Sequence, residues 1–432
     1  MAAFDDEYET RTFTPVVIDG EPDAATRDWI AATRVAFHET NSASGVTVGA
    51  VAAVADGRTY TGIYDRRPLT GSLDATWPVA TYADYVKTIN VGGGALLDAL
   101  LISDVTVRPT HKRKGMLRRM MTARLTHAAD DGIPLAALTA SESGIYRRFG
   151  FGASTRVRRI SIRPEKRFEL LTPPAGRCEL ARASDIQEIA RDVFARFHAR
   201  TPGSVDRQHQ LWNRRLGLGG DEPKLDESVR AALYYSPAGD IDGYVTYRLK
   251  EEGHTAALEV IDLVPATDEA YLGLWQFIGT VDLVDRITYG VAPVVDPLLE
   301  ALVESRTLET TGEEDHVWFR ILDPVAALSA RPYACDGTLT IKIHDDLGFS
   351  AGVFELSVSH GAASVRRIDA NDSTAIADLA LDTATLARAF VGGTPVTALA
   401  AAGLVEHRDP AAVRLATAMF MPDRPVYGIT YF

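Results

Sequence analysis

Two stretches of this chain repeat one another. Val105-Thr106-Val107-Arg108-Pro109 aligns with Ile261-Asp262-Leu263-Val264-Pro265 when the prolines are superposed, and each is a β-branched, apolar run halted by a proline. Proline offers no N–H to a sheet ladder, so both runs read as strands that stop there. Each is followed by a helical stretch, Leu117 to Ala128 or the apolar Tyr271 to Ile278, and then by a further strand, Ile133 to Thr139 or Arg286 to Val291. Leu117, Met120, Met121 and Leu125 fall on one stripe at helical spacing. Strand, helix and strand in that order make a mixed α/β layer, and two copies indicate a diverged internal duplication. With ~150 residues to a typical domain, 432 residues leave room for a third unit.

The first segment runs from about Thr12 to Arg163. Asp23 to His38 reads as a helix, Val46 to Val54 and Arg58 to Tyr64 as strands joined by an Asp56-Gly57 hairpin, Ala99 to Val107 as a strand, and Ser141 to Gly150 as a compact turn or helix. A charged, proline-bearing linker, Arg163 to Gly176, leads to a second segment with a helix at Ser184 to Ala199, a hairpin at Ala231 to Leu249 and a strand at Ala256 to Val264. The third segment begins near Gly312. Val317 to Leu322 is expected to be its opening strand, Thr338 to Ile343 and Gly352 to Ser359 further strands, and Ser373 to Ala380, Asp382 to Val391 and Pro410 to Phe420 helices. The chain ends on Phe432 within an apolar run, which by itself reads as a terminal strand packed into a sheet. The expected domains are therefore 1–165, 177–311 and 312–432.

A net charge of −13 argues against a dedicated binder of nucleic acid or anionic membrane and suits a small cationic partner. Cys178 and Cys335 form no disulfide framework, Met1 to Thr10 is too acidic for a signal peptide, and no apolar run approaches the ~18 residues that span a bilayer. A cytoplasmic protein is expected.

Against that acidity stands one dense basic turn, Lys112-Arg113-Lys114-Gly115, with Arg118 and Arg119 just beyond it at a helix start. The first N–H groups of a helix lack partners and the helix dipole adds positive character, so a pyrophosphate fits there, with Gly115 allowing close backbone approach. A solvated basic helix face would look the same. Walker and GxGxxG patterns are absent, and the second copy carries Asp268, Glu269, Ala270 and Tyr271 at the corresponding positions, without the means to hold an anion. No HExxH or paired spacing marks a metal site among the ten histidines, and Ser141 to Gly144 is not a hydrolase elbow.

Val105-Thr106-Val107, Pro109 and Lys112-x-x-Gly115 resemble the acetyl-CoA signature of the GCN5-related N-acetyltransferases, [Arg/Gln]-x-x-Gly-x-[Gly/Ala], with Lys112 and Leu117 departing from its commonest residues. The Pro-Thr-His-basic-basic-basic-Gly run and Ala140-Ser-Glu-Ser-Gly-Ile-Tyr-Arg-Arg-Phe-Gly-Phe-Gly resemble the enhanced intracellular survival (Eis) family within that group. The resemblance implies two tandem acetyltransferase (GNAT) domains, the second with a degenerate cofactor loop, followed by a sterol-carrier-like α/β domain. It implies acetyl-CoA as co-substrate and assembly as a homohexamer; no metal and no nucleic-acid or membrane partner are expected.

Carried over residue by residue, the resemblance makes Val105, Thr106 and Val107 the splayed strand that holds the pantetheine arm. Arg113, Lys114, Gly115, Met116, Leu117 and Arg118 become the pyrophosphate loop, and Ser141 and Glu142 touch the far side of the cofactor. Tyr146 becomes the general acid, and Phe432 offers its terminal carboxylate as general base. A phenol of pKa ~10 can protonate a departing thiolate of ~8.5 across so small a mismatch, and burial raises a carboxylate from ~3.5. Taken alone, Tyr146 with Phe149 and Phe151 also reads as a core aromatic cluster. Asp23, Trp29, Phe37, His38 and Glu39 suit either an acceptor cleft or a packed helix. The expected reaction is N-acetylation of a cationic amine: an aminoglycoside-like compound, a polyamine or a protein lysine. The alternative is a carrier of hydrophobic ligands acting through the third domain.

Overall fold

The computed structural model describes residues 2–164, 168–220, 224–252, 255–368 and 377–432. Among these, two seven-stranded sheets and one five-stranded sheet carry the fold. No helix of the described residues is long and apolar enough to cross a membrane.

In the first sheet, Leu96–Val107 pairs antiparallel with Ala80–Asn90 and parallel with Leu135–Leu138, and the helix Met116–Asp130 crosses between the parallel pair. The second sheet repeats this, with Thr255–Pro265 and Val284–Pro293 parallel and Asp268–Gly279 as the crossing helix. The third sheet, built on Gly337–His344 and Gly352–Ser359, is covered by Thr383–Phe390, Val396–Ala401 and Pro410–Met419.

Two strands exchange between units. Trp318–Ile321, expected to open the third segment, lies in the first sheet between Leu135–Leu138 and Gly152–Ala153. Arg156–Ile162, which falls within the expected first domain, lies in the second sheet between Val284–Pro293 and Leu308–Asp315. All four residues of Trp318–Ile321 are buried, as are Val157, Ile160 and Ile162. Such strands settle where both faces find cover, which chain neighbourhood does not decide.

Val46 to Val54 is helical, within Ala43–Ala55, and not a strand. Val46, Ala50 and Ala53 share one buried face, and Ala favours a helix strongly enough to offset the β-branched valines. Ser42 caps its start by accepting from the Gly45 amide, and Asp56-Gly57, with Gly57 at φ 63°, ends it instead of turning a hairpin. Of the helix expected at Ser373 to Ala380, residues 373–376 lie outside the described residues, and Leu379–Asp382 is a strand parallel to Gly337–His344. The last residues form no strand either. Their polar groups are met one by one: the Tyr427 amide donates to the Pro202 carbonyl (2.9 Å), the Thr430 hydroxyl to Val205 (2.6 Å), and the Gln208 side-chain amide to the Tyr431 carbonyl (2.7 Å).

Candidate active site

The parallel ladder between Leu96–Val107 and Leu135–Leu138 ends at Ile102↔Leu138, so Ser103 to Val107 diverges from its neighbour and leaves a wedge. A bulge drives the divergence. Thr81↔Thr106 and Ala83↔Ser103 flank it, leaving Asp104 and Val105 opposite Tyr82, and Asp104 takes a left-handed φ of 54°. That strained residue is pinned from two sides: its carboxylate meets the buried Arg58 guanidinium at 2.9 Å, and its carbonyl accepts from the Thr81 hydroxyl at 2.9 Å. Backbone groups of the diverging strand are thereby freed for a ligand.

The strand leads through Pro109–His111 into the basic turn. Arg113 (φ 64°) and Gly115 (φ 81°) are both left-handed, and no side chain caps the helix that starts at Met116. Its first amides are open to an anion. A Cβ placed on Gly115 meets nothing within 4 Å, so the space before the helix is clear. Met116, buried with Met120, Met121 and Leu125, anchors the helix. Lys112, Arg113 and Arg118 are exposed, while Lys114 donates to the Tyr8 hydroxyl (2.6 Å) and Arg119 pairs with Asp5 (2.7 Å). Open amides, a cleared approach and surplus positive charge next to a strand wedge fit the pyrophosphate and arm of acetyl-CoA.

At the mouth of the wedge lies a cleft of about 310 Å³ whose lining includes Val105, Thr139, Ser141, Tyr146, Tyr431 and Phe432. Tyr146 is buried with its ring edge-on to Phe151; burial, and secondarily Glu142, pushes its phenol above the ordinary tyrosine range, so it stays protonated at neutral pH. The Thr139 hydroxyl donates to a main-chain oxygen of Phe432. Tyr146 belongs to the aromatic core and also lines the cleft.

Trp29, Phe37 and Glu39 line the cleft as well, with Trp29 stacked on Tyr60 at 3.7 Å. Asp23 and His38 are not in its lining. Asp23 caps the helix Ala24–Ala36 by accepting from Thr26 (2.8 Å), and His38 is exposed. Glu142, exposed, precedes the short helix Ser143–Tyr146. Thr139 and Gln208 escaped the sequence reading because neither belongs to a motif.

The second unit keeps the wedge, which opens past Val260↔Tyr289. Its helix start differs. Thr267 caps the crossing helix by accepting from Ala270 (3.1 Å), and Asp268 and Glu269 make its first turn acidic.

His316 is buried beside the same final residues, bonded to the Thr430 backbone, and burial pushes its pKa down to about 4. The unfolded chain, with a histidine near ~6.5, therefore takes up a proton that the folded chain refuses, and stability falls as pH drops from about 6.5 to about 4. His316 alone accounts for up to about 3 kcal/mol over that window. Urea midpoints should decline across it, and His316→Gln should flatten the slope.

Residues 22–154 and 203–321 each match an acetyltransferase (GNAT) domain family, and 324–428 match the sterol carrier protein domain. N-acetyltransferase Eis of Mycobacterium tuberculosis is 32% identical over 354 residues, covering 81% of this chain and 84% of that protein. The chain belongs to the Eis family of N-acetyltransferases. An uncharacterized N-acetyltransferase of Streptomyces avermitilis, 31% identical, matches over 94% of this chain and 96% of its own length. The crystal structure of Eis1 from Mycobacterium abscessus superposes with a TM-score of 0.79 at 29% identity, over 98% of this chain and all (100%) of that one. Membership of the Eis family makes the protein an acetyl-transferring enzyme, and GNAT acetyltransferases use acetyl-CoA.

Proposed function

We propose that the first unit transfers acetyl directly from acetyl-CoA to a primary amine, with Tyr146 as general acid and the Phe432 carboxylate as general base. The observation that carries this reading is the convergence of Tyr146 and Phe432 on one cleft at the mouth of the strand wedge. Acetyl-CoA supplies an acetyl group activated on a good leaving thiol. Val105, Thr106 and Val107 orient it through backbone bonds, and an N–H of the wedge polarises the thioester carbonyl. The open amides at Met116 and Leu117, with Arg113, Lys114, Gly115 and Arg118, hold the pyrophosphate, while Ser141 and Glu142 touch the far side of the cofactor. Phe432, oriented by Thr139, takes the proton released as the amine attacks. Tyr146 delivers its proton to the departing sulfur. Replacing Arg113 with Glu should weaken acetyl-CoA binding at least ~10-fold by calorimetry, because it sets an anion against an anion; unchanged affinity would place the pyrophosphate elsewhere.

The lining carries Glu39 and Asp104 together with Arg34, Arg58 and Arg214, and Arg58 is already paired with Asp104. This near balance, beside Trp29 and Phe37, suits an amine on an aromatic or apolar body, or a lysine side chain, better than a highly charged polyamine. A thiol-release screen with acetyl-CoA against aminoglycosides, polyamines and lysine peptides tests the reading, and no release with any amine would overturn it. Assembly as a homohexamer belongs to the same reading, and light scattering measures it. Among the described residues of the third unit, Leu339, Ile341, Phe354, Leu356, Phe390 and Leu399 are buried in one cluster, which favours acetyl transfer over the carrier alternative.

A further inference from the structure

The chain's last residues border the wedge of the second unit. Arg424, Pro425 and Tyr427 line a hollow of about 100 Å³ together with Pro265 and Pro293, at the ends of the splayed strands, and Asp268, at the start of the crossing helix. Arg424 pairs with Asp268 in the first turn of that helix. The buried Tyr427 phenol donates to the carbonyl of Val291, on the diverging strand, and lies 3.3 Å from the Tyr289 hydroxyl. Ile429 is fully buried in the cluster that contains Val264 and Phe197.

These contacts reproduce, with inverted charge, what the first unit offers its cofactor. There a basic turn and a strand edge meet an anion and an extended arm. Here an acidic turn meets the Arg424 cation, and the strand edge meets a tyrosine. We propose that the segment Arg424 to Thr430 occupies the abandoned cofactor cleft of the second unit as an intramolecular ligand, and that this seating positions Phe432 in the cleft of the first. The comparison with the first unit rests on the cofactor placement proposed above, and the last clause also on the catalytic reading of Phe432.

The seat is tight. A Cβ on Gly428 stands 3.0 Å from the Gly203 carbonyl oxygen, and one on Gly203 stands 2.7 Å from a Val426 methyl. Gly428→Val should therefore unseat the segment without touching a residue of the first unit. In the full-length protein, hydrogen exchange of the peptide spanning 426–432 should accelerate at least 10-fold, while the strands Thr255–Pro265 and Val284–Pro293 keep their protection. In parallel, kcat should fall at least 10-fold with an unchanged KM for acetyl-CoA. Tyr427→Phe, which removes only the hydroxyl, serves if the valine variant fails to fold and should show a smaller acceleration in the same peptide. Unchanged exchange in both variants overturns the seating. Faster exchange with full turnover keeps the seating and overturns its link to Phe432.

Discussion

Deleting Phe432 is expected to lower kcat by at least ~100-fold while acetyl-CoA binding persists, the scale at which a positioned general base acts. The deletion leaves every element of the cofactor wedge in place. It moves the main-chain carboxylate back to Tyr431, whose carbonyl oxygen is held at 2.7 Å by the Gln208 side chain. One residue of extended chain is ~3.5 Å, more than a hydrogen bond tolerates, so the displaced carboxylate reaches neither Thr139 nor the amine. Free-thiol release at saturating amine measures the loss, and calorimetry with acetyl-CoA separates it from binding. Normal thiol release by the truncated protein would remove Phe432 from the mechanism.

Tyr146→Phe should also lower kcat by ~100-fold or more, with unfolding temperature and acetyl-CoA affinity close to the parent. The phenylalanine ring fills the same buried site and keeps its edge against Phe151, so the variant removes one hydroxyl and little packing. The pH profile sharpens the test. A general acid works only while protonated, and burial has moved this phenol upward. The activity limb that Tyr146 governs should therefore lie above the ordinary tyrosine range of ~10 and be absent from the phenylalanine variant. A parent-like kcat at every pH would assign the proton to another group.

Legibility followed the range of the interactions involved. The basic turn was readable because strand end, proline stop, glycine and helix start are consecutive in sequence, and local backbone chemistry makes them an anion site wherever the chain goes. The acidic character of the second copy was readable for the same reason, but its helix begins at Asp268, before the expected Tyr271, so Asp268 and Glu269 lie in the first turn of the helix and not in the turn ahead of it. Val46 to Val54 misled because valine suits a strand, whereas the burial of Ala50 and Ala53 on one face belongs to a helix. The exchange of Trp318–Ile321 and Arg156–Ile162 was not legible, since a short apolar strand carries no mark of which sheet covers it.

From the sequence alone came the duplication, the α/β class, the basic turn at a helix start and its acidic counterpart in the second copy. All of these depend on neighbours a few residues apart. Only the tertiary structure decided that Tyr146 and Phe432 share a cleft, that Thr139 and Gln208 hold the last residues there, and that the Tyr427 phenol meets the Val291 carbonyl of the second unit. These pairings join residues distant in the chain through ordinary hydroxyls, amides and apolar side chains, whose partners are chosen by burial and close packing.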